Sequence, residues 1–154
     1  MLGYKFEIEE NCNNFLNVLL SNIDLNEYYV LVKEDETLPR DIISLDCNSL
    51  FSKSIYKYPD FYDELKNRKY YSIFMRLDFS RTPIDEGDRL SFLECLQSNI
   101  DLIILVTDSI YGEVYCRDKK LLAGIFLNLK NSKTFKKIEG ADIRKRKTVS
   151  SYTD

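Results

Sequence analysis

Hydrophobic and polar residues follow β-strand patterns in several stretches of the chain. Apolar and charged residues alternate from Tyr4 to Glu9, which is typical of a half-buried strand. Residues 71–79 alternate in the same way and predict a second strong strand. Residues 102–106 are five consecutive aliphatic residues, so we expect a central strand covered on both faces. Residues 28–33 and the return of a hairpin at residues 113–117 predict two further strands.

Helical spacing appears between these strands. Apolar residues recur on one face at 14–23, with Asn11 or Asn13 as a possible N-cap. Further helices are predicted from Pro59 to about residue 68, from Thr82 and Pro83 to about residue 98, and at 119–130 after an Asp118 N-cap. These patterns predict four helices, of which the last has the clearest amphipathic spacing.

The order of elements predicts an α+β fold in one domain over residues 1–154. We expect a mixed or antiparallel sheet of about five to six strands with about three to four helices packed on it. The charged residues 33–36 suggest a loop, and residues 40–54 fit either a short strand or a helical turn. Gly112 suggests a positive φ or a bulge, and residues 141–154 suggest an edge strand or a disordered tail.

Composition removes several classes of chemistry. The chain has 154 residues, no His and a formal net charge of −3, so the commonest general base and metal ligand are missing. The acidity argues against nucleic acid as the default partner. No glycine-rich phosphate loop is present, and no cofactor is expected.

The cysteines and the absence of targeting segments bear on the compartment. Cys12, Cys47, Cys95 and Cys116 form no Cys-x-x-Cys pair, and no signal peptide or membrane span is predicted. We therefore expect a cytoplasmic protein with free thiols.

Three acidic residues near strand ends offer one enzymatic interpretation. Asp78, Asp108 and Glu113 are candidate ligands for a divalent metal in a hydrolase or nuclease. The residue two positions after Glu113 is Tyr115 rather than the Lys of restriction-type nucleases. Turn and strand-end acids explain these residues without catalysis, since turns select Asp. Cys95 and Cys116 lie on apolar patterns and are interpreted as packed thiols.

The basic run Arg144, Lys145, Arg146 and Lys147 is the one cationic cluster in the sequence. It is consistent with a regulator that contacts nucleic acid or an acidic partner. The alternative is a solvated edge strand or tail whose charges discourage edge pairing.

An aromatic and acidic segment is the candidate partner-binding site. Its residues are Tyr56, Tyr58, Asp60, Phe61, Tyr62, Asp63 and Glu64. Tyrosine-rich surfaces bury a large area at low entropic cost, and neighbouring acids favour a basic partner. The alternative is that these aromatics cover a secondary core beneath a loop.

Several blocks resemble an uncharacterised family of short bacterial proteins, some of which are encoded beside secreted polymorphic toxins. The resemblance rests on residues 6–8, 15–16, 23–25, 103–109 and 114–118. It implies an immunity or antitoxin role but assigns no functional residue. The sequence therefore favours a non-catalytic protein-binding module, with a basic toxin domain as one partner. The carboxylate-dependent enzyme and the nucleic-acid-associated regulator are the alternatives.

Overall fold

The computed structural model describes residues 1–40, 50–85, 92–95 and 98–146. Within these residues the strands form a single seven-stranded sheet. The strands are β1 (Leu2–Ile8), β2 (Tyr29–Pro39), β3 (Ile55–Lys57), β4 (Tyr70–Ser80), β5 (Ile100–Thr107), β6 (Tyr111–Cys116) and β7 (Phe135–Asp142). The helices are α1 (Phe15–Leu19), α2 (Tyr58–Leu65), α3 (Phe92–Cys95) and α4 (Lys119–Asn131), and a 3₁₀ turn follows β7 (Ile143–Lys145).

All neighbouring strands are antiparallel, in the order β3-β2-β4-β5-β6-β1-β7. β5 therefore occupies the central place. The β5–β6 hairpin turns through Asp108 and Ser109, whose φ angles are 52° and 67°. Thr107 pairs with Tyr111, so three residues form the loop. A single short turn thus connects the central strand to one of its two neighbours.

The central strand β5 is buried on both faces, as its unbroken aliphatic run predicts. Leu102, Ile104 and Val106 belong to the large core that α1, α2 and α4 cover, whereas Ile103 and Leu105 belong to a smaller core on the opposite face. All five side chains are at most 2% exposed. Because period-2 alternation sends successive side chains to opposite faces, this one strand contributes to both cores.

The smaller core also holds a buried ion pair. Arg76 and Asp78 of β4 are 0% and 1% exposed, and the guanidinium donates to both carboxylate oxygens, at 3.0 and 3.2 Å. The Sγ atom of Cys95 lies 3.3 Å from the same guanidinium. Burial is the main reason that the pKa of Cys95 rises to about 11, so the thiol stays protonated at neutral pH. Cys95 is a packed thiol, as the sequence pattern indicates.

The predicted fold class was wrong, because it expected a smaller sheet and a larger share of helix than the structure has. The expectation was about five to six strands with about three to four helices, whereas the described residues form a larger, wholly antiparallel sheet. Among the described residues the helices are few, and α1 has only 5 residues. Sheet therefore dominates this protein more than hydrophobic periodicity suggests.

Polar strands at or near the sheet edges explain the error. β2 continues through the charged residues 33–36, which the sequence suggested were a loop, and reaches Pro39. β3 and β7 were not predicted, and both lie at sheet edges. β7 exposes Lys136, Lys137 and Glu139, and such charges protect an edge from pairing with other chains while hiding the alternation that identifies a strand.

The helices agree with the sequence to different extents. α4 begins after Asp118, whose carboxylate accepts from the backbone N–H groups of Lys120 and Leu121, at 2.8 and 3.2 Å, so the predicted cap is confirmed. α2 has Pro59 in its first turn, as predicted. α1 is shorter than the predicted helix over residues 14–23. The helix predicted after Thr82 and Pro83 does not begin there, because residues 81–85 are not helical.

Some sequence predictions concern residues outside the described part. Residues 41–49, most of the ambiguous segment, are among them, as are Lys147 and the rest of the tail to residue 154. The first two residues of the predicted tail, Ala141 and Asp142, end edge strand β7. No helix in the described ranges is long and apolar enough to cross a bilayer.

Gly112 allows a close approach between β6 and an aromatic ring. No described glycine has a positive φ, and Gly112 pairs in register with Phe6 of β1, so the predicted special backbone geometry was wrong. A Cβ at position 112 would lie 2.2 Å from Cε2 of Phe6. That ring is 4% exposed and packs edge-on against Phe135 with centroids 5.2 Å apart. The Phe6 ring therefore has little room to move away.

Gly112→Ala is expected to destabilise the protein by about 1–3 kcal/mol, because the added methyl group overpacks the contact with Phe6. Urea denaturation measures the change in the free energy of unfolding. Gly140→Ala is the matched control, because a Cβ at that position would meet nothing within 4 Å. Equal effects of the two substitutions would contradict this account of Gly112.

Candidate functional site

A groove of about 440 Å³ lies between α1, the segment that follows it, and α2. We call it the α1–α2 groove. Apolar side chains supply part of its lining, namely Leu16, Leu20, Ile23, Tyr58 and Leu65. Asn17, Ser21, Asn22, Asn26, Tyr62 and Asp63 supply the polar part. Polar and apolar residues therefore contribute about equally to the lining. A concave surface that combines apolar residues with polar groups is a candidate binding site.

The N-terminal end of α1 is fixed by a buried tyrosine of β4. The Tyr70 hydroxyl accepts from the backbone N–H of Leu16 at 3.0 Å and donates to the side-chain oxygen of Asn17 at 2.5 Å. Asn17 in turn donates its side-chain amide to the carbonyl of Leu65 at 3.2 Å. Burial is the main cause that raises the pKa of Tyr70, so the hydroxyl remains neutral. These bonds connect both helical walls of the groove to the sheet.

The C-terminal end of α1 is fixed by α4. The side-chain amide of Asn128 donates to the carbonyls of Leu19 and Ser21, at 2.9 and 2.7 Å. A five-residue helix is not stable by itself, so these tertiary bonds explain why it forms. The predicted caps, Asn11 and Asn13, do not stand at the N-cap position. That position is held by Asn14, whose side chain makes no capping bond. Tyr70 meets that requirement from a distant part of the chain.

The aromatic and acidic segment divides into a buried half and an exposed half. Tyr56, Tyr58 and Phe61 are 3%, 7% and 0% exposed, so they lie in the core. Phe61 stacks on Phe51 at 5.0 Å and meets Tyr56 edge-on at 5.5 Å. These three aromatics are therefore buried, as the alternative expects, but they belong to the large core and not to a secondary one. Tyr62 differs, because 45% of it remains exposed.

Glu64 is also directed inward. Its carboxylate accepts hydrogen bonds from the hydroxyl groups of Tyr56 and Ser52. Burial alone would raise the pKa of Glu64, but the bonds from Ser52 and Tyr56 outweigh that effect and lower it. Glu64 therefore fastens α2 to the residues before β3, and it does not belong to the exposed set.

The exposed side of α2 presents Asp60, Tyr62 and Asp63. Asp63 forms an ion pair with Lys66 at 3.0 Å, and both side chains are at least half exposed. Asp63 is the acid among the residues that line the groove, and Asp60 is exposed nearby on α2. The α1–α2 groove thus has a mixed apolar and polar lining, with two exposed acids on the α2 side.

The predicted basic cluster is partly neutralised within the chain. Arg144 contacts both carboxylate oxygens of Asp142, at 3.2 and 2.8 Å, and its hydrogen bonds lower the pKa of Asp142. Arg146 contacts both oxygens of Glu113, at 3.0 and 3.2 Å, and its side chain is 8% exposed. Lys145 is exposed. Arg146 therefore attaches the segment after β7 to β6, whereas Arg144 pairs locally with the last residue of β7.

The three acids considered for a metal site are held in different surroundings. Asp78 is paired with Arg76, and Glu113 is paired with Arg146 and accepts from the Tyr115 hydroxyl. Asp108 is exposed in the β5–β6 turn. Across residues 1–40, 50–85, 92–95 and 98–146, no three His, Cys, Asp or Glu side chains are grouped to hold a metal ion. The structure does not bring these acids together.

Comparison with known proteins gives a family but no activity. The chain belongs to the family described as "Protein of unknown function (DUF2691)", whose model matches residues 1–149. It is also similar to the uncharacterized protein YncE of Bacillus subtilis (strain 168), with 24% identity over 135 residues, which covers 82% of each protein. No solved structure matches the chain significantly. The resemblance to an uncharacterised bacterial family is therefore confirmed at the level of the family.

Tyr70→Phe is expected to reduce the free energy of unfolding by about 1–3 kcal/mol, because it leaves the buried N–H of Leu16 without its acceptor. Chemical denaturation measures the loss. Tyr4→Phe is the control, since the Tyr4 ring stacks on Phe126 at 4.8 Å and its hydroxyl has no protein partner in the described part of the chain. An unchanged stability of Tyr70→Phe would show that this hydroxyl does not hold α1.

Asp78→Asn is expected to cost about 3–5 kcal/mol of stability, because it leaves the buried Arg76 guanidinium without its carboxylate. Thermal and urea unfolding both report the loss. Asp108→Asn changes the same functional group at an exposed turn and should stay within about 0.5 kcal/mol of the original protein. The double variant Arg76→Met/Asp78→Leu should recover most of the loss, and failure of Asp78→Asn to destabilise would reject the structural role of the pair.

Proposed function

We propose that this protein is a non-catalytic binding protein whose α1–α2 groove receives a segment of a basic protein partner. The observation that carries the proposal is an exposed Tyr62 in the lining of a groove that also presents apolar side chains and the acid Asp63. The partner segment presents an apolar side chain flanked by Lys or Arg. Its apolar group fills the space between Leu20, Ile23 and Tyr58, and its cations lie near Asp60 and Asp63.

Different residues of this surface contribute different interactions to recognition. Tyr62 offers a large amphipathic ring with only two side-chain torsions to order, which makes tyrosine effective at interfaces. The acids Asp60 and Asp63 attract a cationic partner and increase the rate of encounter more than they increase final affinity. The bonds from Tyr70 and Asn128 to α1 keep the groove formed before binding, which lowers the ordering cost.

The narrower form of the proposal is an immunity or antitoxin protein that binds a basic toxin domain. This form rests on the sequence resemblance to proteins encoded beside polymorphic toxins. We place the binding in the cytoplasm, a compartment that keeps thiols reduced, because Cys12, Cys95 and Cys116 are all free. An immunity protein of this kind blocks the toxin by covering its surface, so it needs a complementary surface and no catalytic residues.

Site-specific photocross-linking tests the binding surface directly. A photoreactive phenylalanine analogue replaces Tyr62 in cells that naturally contain this protein, and the same analogue replaces Leu127 as the control, since Leu127 is 56% exposed on α4. We expect a defined adduct with a basic protein from position 62 and none from position 127. Asp60→Lys/Asp63→Lys should remove that adduct. Equal adducts from both positions, or none from position 62, would contradict the proposal.

Co-expression with a toxin domain encoded beside the gene tests the narrower form. The original protein should restore growth, whereas Tyr62→Ala should weaken the complex about tenfold or more, since truncation of a central aromatic residue typically costs over 1 kcal/mol. Leu127→Ala should behave like the original protein. Absence of both a complex and rescue would reject the immunity role, and the cross-linking result would still decide the broader binding role.

A further inference from the structure

The side-chain hydroxyl of Tyr58 has no hydrogen-bond partner in the described part of the chain, although the residue is only 7% exposed. Its backbone N–H is satisfied, because it donates to the carbonyl of Tyr28 at 2.9 Å. Other buried tyrosines, Tyr56, Tyr70 and Tyr115, all donate their hydroxyls to side-chain oxygens. A buried tyrosine hydroxyl usually finds a partner, so the exception at Tyr58 requires an explanation.

The hydroxyl end of Tyr58 lies at the α1–α2 groove. Tyr58 is among the residues that line it. Burial is the main cause that raises the pKa of Tyr70, and Tyr58 adds to that effect, so the two hydroxyl groups are near each other. Tyr70 in turn bonds to Leu16 and Asn17, which also line the groove. The Tyr58 oxygen is not among the enclosed polar atoms that lack a partner, so it is in contact with solvent.

Ring packing fixes the position of this hydroxyl, and burial keeps it protonated. The centroid of the Tyr58 ring lies 6.1, 6.3 and 6.4 Å from those of Phe61, Tyr62 and Phe79. Burial, and to a smaller extent Tyr62, raises the pKa of Tyr58 to about 12. At neutral pH the group is therefore an O–H donor that is held in place before anything binds, which lowers the ordering cost of using it.

A molecule that fills the groove displaces the water next to this hydroxyl. If the molecule places only carbon atoms there, the O–H group loses its hydrogen bond, which weakens binding on the order of tenfold or more. An oxygen acceptor at the same point restores the bond. The groove therefore distinguishes groups of similar size by whether they accept a hydrogen bond, as sites that contain a buried polar group generally do.

We propose that Tyr58 is a specificity-determining residue of the α1–α2 groove, whose hydroxyl donates to a neutral oxygen acceptor on the bound segment. The acceptor is a main-chain carbonyl or a side-chain amide oxygen. A carboxylate fits less well, because one hydrogen bond does not repay the dehydration of a charge and Asp63 lines the same groove. This proposal rests on the proposed binding function and adds one requirement to it, an oxygen acceptor beside the apolar group that enters the groove.

Two small cations of similar size and equal charge test the requirement, para-acetylbenzylammonium and para-isopropylbenzylammonium. Both present an aromatic ring and an ammonium group, but only the acetyl group accepts a hydrogen bond. Heteronuclear NMR of the backbone amides of Ile23, Tyr62 and Asp63 follows the titration of each probe. Tyr58→Phe should weaken binding of the acetyl probe about three- to tenfold, which is the range for one neutral hydrogen bond. The isopropyl probe should bind this variant equally well or more tightly, because no hydroxyl remains to be dehydrated.

Tyr4→Phe is the matched control variant. The Tyr4 hydroxyl also lacks a protein partner in the described residues, but Tyr4 stacks on Phe126 and does not line the groove. Its substitution should change the affinity for neither probe. Both variants should keep the urea midpoint of the original protein, since neither loses a hydrogen bond within the described chain.

Three results would overturn the proposal: an equal loss of affinity for the two probes in Tyr58→Phe, an unchanged affinity for the acetyl probe, or no saturable shift with either probe. Cross-linking from position 62 requires only that a protein lies close to the groove. It therefore separates a failure of the hydrogen-bond requirement from a failure of the binding function itself.

Discussion

The burial of β5 on both faces is the constraint on which the rest of the structure depends. Five consecutive aliphatic side chains leave no polar face for solvent, so the strand requires a cover above and a cover below. Its neighbours β4 and β6 pair along most of its length, and the two hydrophobic cores form on either side of it. The helices, the edge strands and the end of β7 are arranged around this requirement.

The two faces of β5 are covered by different kinds of contact. On the larger side α1, α2 and α4 provide apolar cover, and the ends of α1 are secured by Tyr70 and Asn128. On the smaller side the described cover includes Cys95 of α3 and Ile143 after β7, and the ion pairs Arg76–Asp78 and Glu113–Arg146 accompany these apolar contacts. Buried pairs of this kind add little net stability but penalise any arrangement that separates their partners.

The proposed binding region arises on the helical side of the sheet. The α1–α2 groove lies between short helices that are fixed to the sheet by hydrogen bonds. Rigid positioning of surface groups by a sheet is a common way in which a fold supports function on its loops.

Local patterns in the sequence predicted the parts of the fold that depend on local physics. The aliphatic run of β5, the Asp118 cap of α4 and Pro59 at the start of α2 were all recognisable, because each acts within a few residues. The charged continuation of β2 and the edge strands β3 and β7 were not, since their polar side chains hide the alternation.

The candidate sites show the same limit. Tyr62 was identified but could not be separated from buried Tyr58 and Phe61, because all are aromatics in one segment. Tyr70 and Asn17 are 53 residues apart, and Arg146 and Glu113 are 33 apart, so neither contact could be inferred from spacing. The predicted cluster at Arg144–Lys147 was recognisable as a run of basic residues, whereas the ion pair of Arg146 was not.

Native-state hydrogen exchange of the β5 amides tests the central claim most directly. If burial on both faces makes β5 the foundation of the fold, its amides should exchange only through global unfolding and should be the slowest in the protein. Edge strand β7 should exchange faster, through local opening. Exchange of β5 at the rate of β7, with protection concentrated elsewhere in the sheet, would contradict the claim that the structure is organised around this strand.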